Sequence, residues 1–126
     1  MPIIKAMTIR QPWAMLVIQG IKTVENRSRN FHYRGRIAIH AAGTLWDGEY
    51  VAACKKLGRK IPEDELELGG IIGTVEVVDV VQKYRSKWFR GPYGLLLRNP
   101  KPCKFIPLKG QLGLWSVPAR LRSQLK

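Results

Sequence analysis

Cysteine and histidine are scarce in this chain of 126 residues, with two of each. Cys54 and Cys103 have no metal-ligand spacing around them, so reduced structural thiols are expected rather than a disulfide framework. His32 and His40 do not stand at metal-binding separation, and neither a metal nor another cofactor is expected. Apolar runs fall well short of the ~20 residues that a membrane span needs, so no membrane partner is expected. The segment MPIIKAMTIRQPW lacks the cationic, apolar and small-residue succession of a secretory leader, which points to a cytoplasmic location. The Ser, His and Asp spacing of a hydrolase triad is missing, as is a glycine-rich phosphate loop. There is no repeat, low-complexity stretch or internal linker. One domain over residues 1–126, monomeric, is the expected organisation.

Acids are scarce too, and this scarcity is the most informative. Lys and Arg number 22 and Asp and Glu 9, for a net charge of +13. Four of the acids, Glu63, Asp64, Glu65 and Glu67, crowd into one short stretch. Outside it, 22 bases face only 5 acids. Such a field attracts polyanions and speeds their encounter with the protein. Nucleic acid is the leading candidate, because phosphate contacts dominate its affinity. No basic amphipathic helix of useful length points to a membrane surface instead.

What is present reads as a mostly β domain. Residues 3–9, IIKAMTI, form a candidate strand. A buried helix then opens at Gln11-Pro12-Trp13, apolar on every side from Ala14 to Ile18 and stopped at Gly20. Residues 22–27, KTVENR, are expected to be extended, and Arg36 to Ala42 to form a strand with Ile37 and Ile39 inward. Trp46 to Leu57 is helical in character, with Asp47 and Glu49 in its first turn and Lys55 and Lys56 in its last, as the helix dipole favours. Ile71 to Gln82 is the most β-like run. Shorter strands are expected at 93–98, 104–108 and 114–117, and Pro118 begins a brief C-terminal helix.

The run QPWAMLVIQGIKTVENRSR followed by YRGRIAIHAA resembles the hallmark of ASCH domains, within the PUA-like superfamily. GTVEVVD, WFRGPYGLLLRNP and KGQLGLWSV are similar to later parts of bacterial and phage members. The resemblance covers about residues 6–117. It implies an α+β, mostly β fold: a PUA-like β-barrel with two or three short helices, the first packed against the barrel opening. It implies a role with RNA or, for some relatives, DNA. Some small ASCH proteins are amidohydrolases that deacetylate acetylated cytidine, and others act as ribonucleases. In the amidohydrolases a lysine just after the first helix is catalytic, and Lys22 occupies the matching place. Those enzymes place a threonine three residues on, where this chain has Glu25, and add a distant glutamate.

The residues themselves leave several readings open. In a regular strand Glu25 and Arg27 share one face and Lys22 points to the other, so Lys22 and Glu25 meet only if the segment bends, bulges or keeps a helical turn. If they meet, Glu25 holds Lys22 charged or shares a proton with it as a general base. The alternative is a Glu–Arg ion pair that fixes the chain at the barrel rim. Arg27, Arg34 and Arg36 are candidate nucleic-acid contacts, Arg36 gripping a phosphate through its fork of donors. Strand parity sets Arg36, Ala38 and His40 on a non-core face or pocket wall. There His40 either meets a base or serves as a hydrogen-bonded structural residue. Trp13, Trp88 and Tyr93, set among Lys87, Arg90 and other cations, either stack on bases or plug the core. Trp115 is assigned to the core. Glu76 and Asp79 fall on opposite strand faces and are candidate partners for Lys22 or an arginine.

Three functions remain in contention. The first is a nucleic-acid-binding module, RNA ahead of DNA, with a pocket at the barrel mouth near Lys22, Glu25 and Arg36. The second is a hydrolase acting on RNA or a modified nucleoside through Lys22 and Glu25, and the third a protein-interaction domain.

Overall fold

The computed structural model describes residue 3 and residues 5–125. Six strands form one sheet that curls into a half-barrel, in the order β2-β5-β4-β3-β1-β6. In chain order the elements are β1 (Lys5–Ile9), α1 (Trp13–Ile18), β2 (Val24–Arg27), β3 (Gly35–Ala41) and α2 (Asp47–Leu57). There follow a 3-10 turn (Glu63–Glu65), β4 (Gly70–Val81), β5 (Tyr93–Pro107), β6 (Leu114–Ser116) and a C-terminal 3-10 segment (Ala119–Leu125). Strands β1 and β3 pair in parallel, and every other pairing is antiparallel. Residue 4 of the expected first strand lies outside the described residues.

Helix α1 has six residues, too few to hold a helix in water on their own. Tertiary burial holds it: Ala14, Leu16, Val17 and Ile18 are all buried, and each large side chain so buried contributes about 1.5–3 kcal/mol. Gln11 fixes its start from inside the protein, accepting from the Met15 amide at 3.0 Å and donating to the Glu67 carbonyl at 2.9 Å. Gly20, at φ 77°, turns the chain out of the helix. Leu16→Ala is the change that would free this element, at about 2–5 kcal/mol.

Two sequence expectations change in the fold. The separate strands at 93–98 and 104–108 are one strand, β5. Asn99 to Cys103 hid the continuity, because Pro100 and Pro102 read as breakers. The structure absorbs them by bulging. Between the pairs Glu76–Arg98 and Thr74–Lys101, β5 carries one residue more than β4, and Asn99 takes φ 52° there. Strand β2 covers β5 only at 93–96, so the prolines lie where β5 has a free edge.

The second change concerns β3. Ile37 and Ile39 face the main core as expected, but Ala38 and His40 are buried too, at 0% and 2% exposure. A second apolar cluster covers their face, built from Ala6, Ile71, Trp115, Leu121 and Leu125 among others. Parity told which residues share a face. It did not tell that the C-terminal segment and β6 close over the other one.

Candidate functional site

A cleft of about 470 Å³ opens where the C-terminal end of β1, the start of α1, β2 and α2 converge with the loops at 86–91 and 108–113. Five cations (Arg10, Lys22, Arg27, Lys56, Arg90) and two carboxylates (Glu25, Glu49) line it, together with the indoles of Trp13 and Trp88.

Its inner wall is built by the short link from α1 to β2. Lys22 precedes the strand, and its amide still bonds back to the helix at the Leu16 carbonyl, 3.0 Å away. That hook bends the segment so that the Lys22 side chain curls beside its own strand. Lys22 Nζ donates to Glu25 Oε1 at 2.9 Å and to the Val24 carbonyl. Glu25 Oε2 takes Arg27 Nη2 at 3.0 Å, and the same Nη2 donates to the Thr8 carbonyl. The Lys22 and Glu25 side chains are only 5% and 11% exposed. One carboxylate thus bridges two cations in a dry wall, where truncating one partner leaves an uncompensated charge. The Arg27 Nε–H is buried and finds no acceptor among the described residues.

The outer wall is aromatic and anchored from two sides. Trp13 and Trp88 meet edge to face at a centroid distance of 6.5 Å, and Lys22 Nζ stands 5.9 Å from the Trp13 ring centre. Trp13 Nε1 donates to Glu49 Oε1 at 3.0 Å, while Arg10 Nη1 meets Glu49 Oε2 at 2.9 Å. The Trp13 hydrogen bond, with help from the Arg10 and Arg90 charges, holds the Glu49 carboxyl below its ordinary value of 4.5 against the opposing effect of burial. Asn26 positions the 86–91 loop. Its Nδ2 donates to the Trp88 carbonyl at 2.9 Å, and its Oδ1 accepts from the Arg90 and Gly91 amides at 2.7 and 3.1 Å.

Of the residues singled out in the sequence, Trp13, Lys22, Glu25, Arg27, Trp88 and Arg90 come together here. Arg34, Arg36, His40, Lys87 and Tyr93 lie outside the cleft wall. Arg34 pairs with Asp79 at 2.9 Å. Arg36 donates to Thr74 Oγ1 and to the Asn99 carbonyl at 2.9 and 2.8 Å. His40 is buried, its ring tied to Thr8 and to the Leu108 carbonyl. Lys87 is exposed, with its Nζ 4.9 Å from the Trp88 ring centre. Tyr93 is half-buried in β5 opposite Arg27. Trp88 is both core and wall: 7% exposed and packed in the cluster of Leu16 and Val24, it still borders the cleft.

Arg10, Asn26, Glu49, Lys56 and the loop residues Gln111 and Leu112 also line the cleft and were not read from the sequence as site residues. Glu49 carried only a helix-dipole signal, since its contact with Arg10 spans 39 positions. Asn26 offered a weak one: a side chain with both donor and acceptor inside a strand of charged neighbours. Among the described residues, no group of three or more His, Cys, Asp or Glu side chains is placed to hold a metal ion. No helix among them is long and apolar enough to cross a membrane.

The family described as ASCH domain matches residues 7–99. Activating signal cointegrator 1 from Homo sapiens and its counterpart from Mus musculus are each 27% identical over 136 aligned positions, covering 95% of this chain. The chain spans only 23% of the length of either relative. The solved structure of ASCH from Zymomonas mobilis matches 95% of this chain and 91% of that one, with a TM-score of 0.59 at 16% identity. Two single-site mutants of that protein give 0.57 and 0.58. At such identities the likeness is one of fold.

Proposed function

The chain belongs to the ASCH domain family, and from that premise we propose that it is a nucleic-acid-binding module, acting as one domain and preferring RNA to DNA. One observation carries the reading: the cleft joins the half-buried Trp13 indole, backed by Trp88, to five cations around a volume of about 470 Å³. That volume lies in the range of small-ligand pockets, ~300–1,000 Å³. An unpaired base meets such a site by stacking on indole, at about 1–3 kcal/mol per base, while the cations neutralise the flanking phosphates. Lys56 and Arg90 supply the phosphate contacts in this reading, while Arg10 stands at the rim paired with Glu49. Lys22 and Arg27 are already engaged by Glu25, so they shape the wall and its field. Arg34, Arg36, Lys87 and Tyr93 contribute along the path of the strand outside the cleft. His40 has no part in contacting the ligand.

The test is fluorescence anisotropy with labelled single-stranded RNA, duplex RNA and duplex DNA across a salt series. Binding that weakens linearly in log–log with salt, and ranks RNA first, supports the reading. A flat salt response counts against it. Indifference to all three, with capture of an acidic protein, would favour an interaction domain.

A second reading, a hydrolase of RNA or of an acetylated nucleoside, is favoured by the buried Lys22–Glu25 contact at 2.9 Å on the cleft wall. In it the pair handles the proton transfers while water is added across the scissile bond. Release of acetate from acetylcytidine by the protein, lost in Lys22→Met, would support it. Absence of turnover on acetylcytidine and on RNA would remove it.

A further inference from the structure

Leu112 is 98% exposed and borders the cleft. A single exposed leucine is ordinary on a protein surface. This one is unusual in being held out by an anchored loop. Trp115 Nε1 donates to Thr8 Oγ1 at 3.2 Å, and Thr8 Oγ1 lies 3.2 Å from His40 Nδ1. A carbonyl only accepts, so the His40 Nε2 that meets the Leu108 oxygen carries the proton. The Leu108 amide in turn donates to the Gly69 carbonyl at 3.1 Å. Two residues on, Gly110 lies directly against this chain. A Cβ there would come within 2.6 Å of Thr8 Oγ1 and 2.7 Å of His40 Cε1. Gly113, at φ 68°, turns the loop back into β6. Leu112 therefore stands between two fixed points, with its apolar side chain in water at the mouth of a cationic cleft.

Proteins that open a duplex use apolar wedges of this kind. The side chain occupies the gap left by an unstacked base, and its burial offsets part of the unstacking free energy. Beside it, the exposed Gln111 offers both a donor and an acceptor. We propose that the cleft receives a nucleotide rotated out of a duplex, with Leu112 filling the vacated step and Gln111 meeting the orphaned partner base. The proposal rests on the nucleic-acid reading above and deepens it. The half-buried Trp13 indole, backed by the buried Trp88, provides the face for the extruded base, and Lys56 and Arg90 stand at the rim for its phosphates.

The experiment places 2-aminopurine, quenched when stacked, within an RNA duplex, a DNA duplex and the corresponding single strands. Fluorescence and anisotropy are followed together as protein is added. A several-fold fluorescence rise is expected on duplex binding, in whichever of RNA or DNA is the substrate. Leu112→Ala should remove most of that rise and weaken duplex binding on the order of tenfold, while single-strand affinity stays within about twofold. Gln111→Ala should lower the rise for paired targets and not for single strands. Both side chains are exposed, and unchanged thermal melts would verify that the variants fold. Salt-steep duplex binding with 2-aminopurine still quenched, or a Leu112→Ala variant that behaves as the wild type, overturns the wedge and leaves the binding reading intact. Failure to bind any of the oligonucleotides overturns both.

Discussion

Lys22 and Glu25 meet at 2.9 Å in a nearly dry wall of the cleft, although a regular strand would set them on opposite faces. They meet because the Lys22 amide stays hooked to the Leu16 carbonyl and the strand begins only at Val24. Glu25 is then shared between Lys22 and Arg27. A sequence segment of six residues becomes a charged corner whose parts depend on one another.

The first expectation concerns that corner. Glu25→Gln removes the charge that two buried or half-buried cations share, and breaking a buried pair costs about 3–5 kcal/mol. Urea unfolding should show a midpoint lowered accordingly at unchanged m-value. Lys22→Met should lose less, because Arg27 remains on the carboxylate. If Glu25→Gln unfolds at the wild-type midpoint, the corner is not structural.

A second expectation follows from Glu49. Its folded-state pKa is lowered, chiefly by the Trp13 hydrogen bond and then by Arg10. A depressed carboxylate contributes stability above its ordinary pKa of 4.5 and loses it as pH falls through the folded value. The wild type should therefore be more stable than Glu49→Gln at pH 6, and the difference should shrink as the pH is lowered below 4.5. The side chain is 31% exposed, so the gap at pH 6 should be modest and should narrow with added salt. A gap that widens on acidification would contradict the assignment.

The rim cations carry a third. Arg90→Ala and Lys56→Ala each remove one lining charge that no carboxylate among the described residues engages at ion-pair distance. Each should reduce the log–log salt slope for single strands by about 0.7 and weaken binding across sequences alike. Arg34→Ala, whose ion pair with Asp79 lies outside the cleft, should leave the slope closer to wild type. The reverse ranking would move the binding path to the Arg34 side.

Gly110 supplies the fourth. Any side chain there meets Thr8 and His40 at 2.6–2.7 Å, and relieving such overpacking typically costs about 1–3 kcal/mol. Gly110→Ala should lower the melting temperature and loosen the 108–113 loop, seen as faster amide exchange at Leu108. Exchange equal to wild type would show that the loop is not anchored there.

How much of this was legible beforehand differs from element to element. Helix α1 announced itself through an apolar run on all sides between a proline and a glycine, and α2 through charges placed for its dipole. Both signals are local, so the chain states them directly. Strand β5 did not, because Pro100 and Pro102 look like breakers until a bulge and a free edge remove their penalty. His40 alternated correctly with Ile39, yet its face was closed by residues more than 65 positions away.

The sequence alone settled the basic field, the family likeness and the mostly β character. All of these reside in composition or in neighbours a few residues apart. It left open whether Lys22 and Glu25 meet, which the hook of the Lys22 amide on Leu16 decided. Tertiary structure alone decided that Glu49 joins Arg10 and Trp13, that Asn26 holds the Trp88 loop, and that Arg36 and His40 turn to structural partners. It also set Leu112 at the cleft mouth. These pairings span from about 30 to more than 100 positions. Strand register and loop anchoring determine them, and no local propensity encodes either.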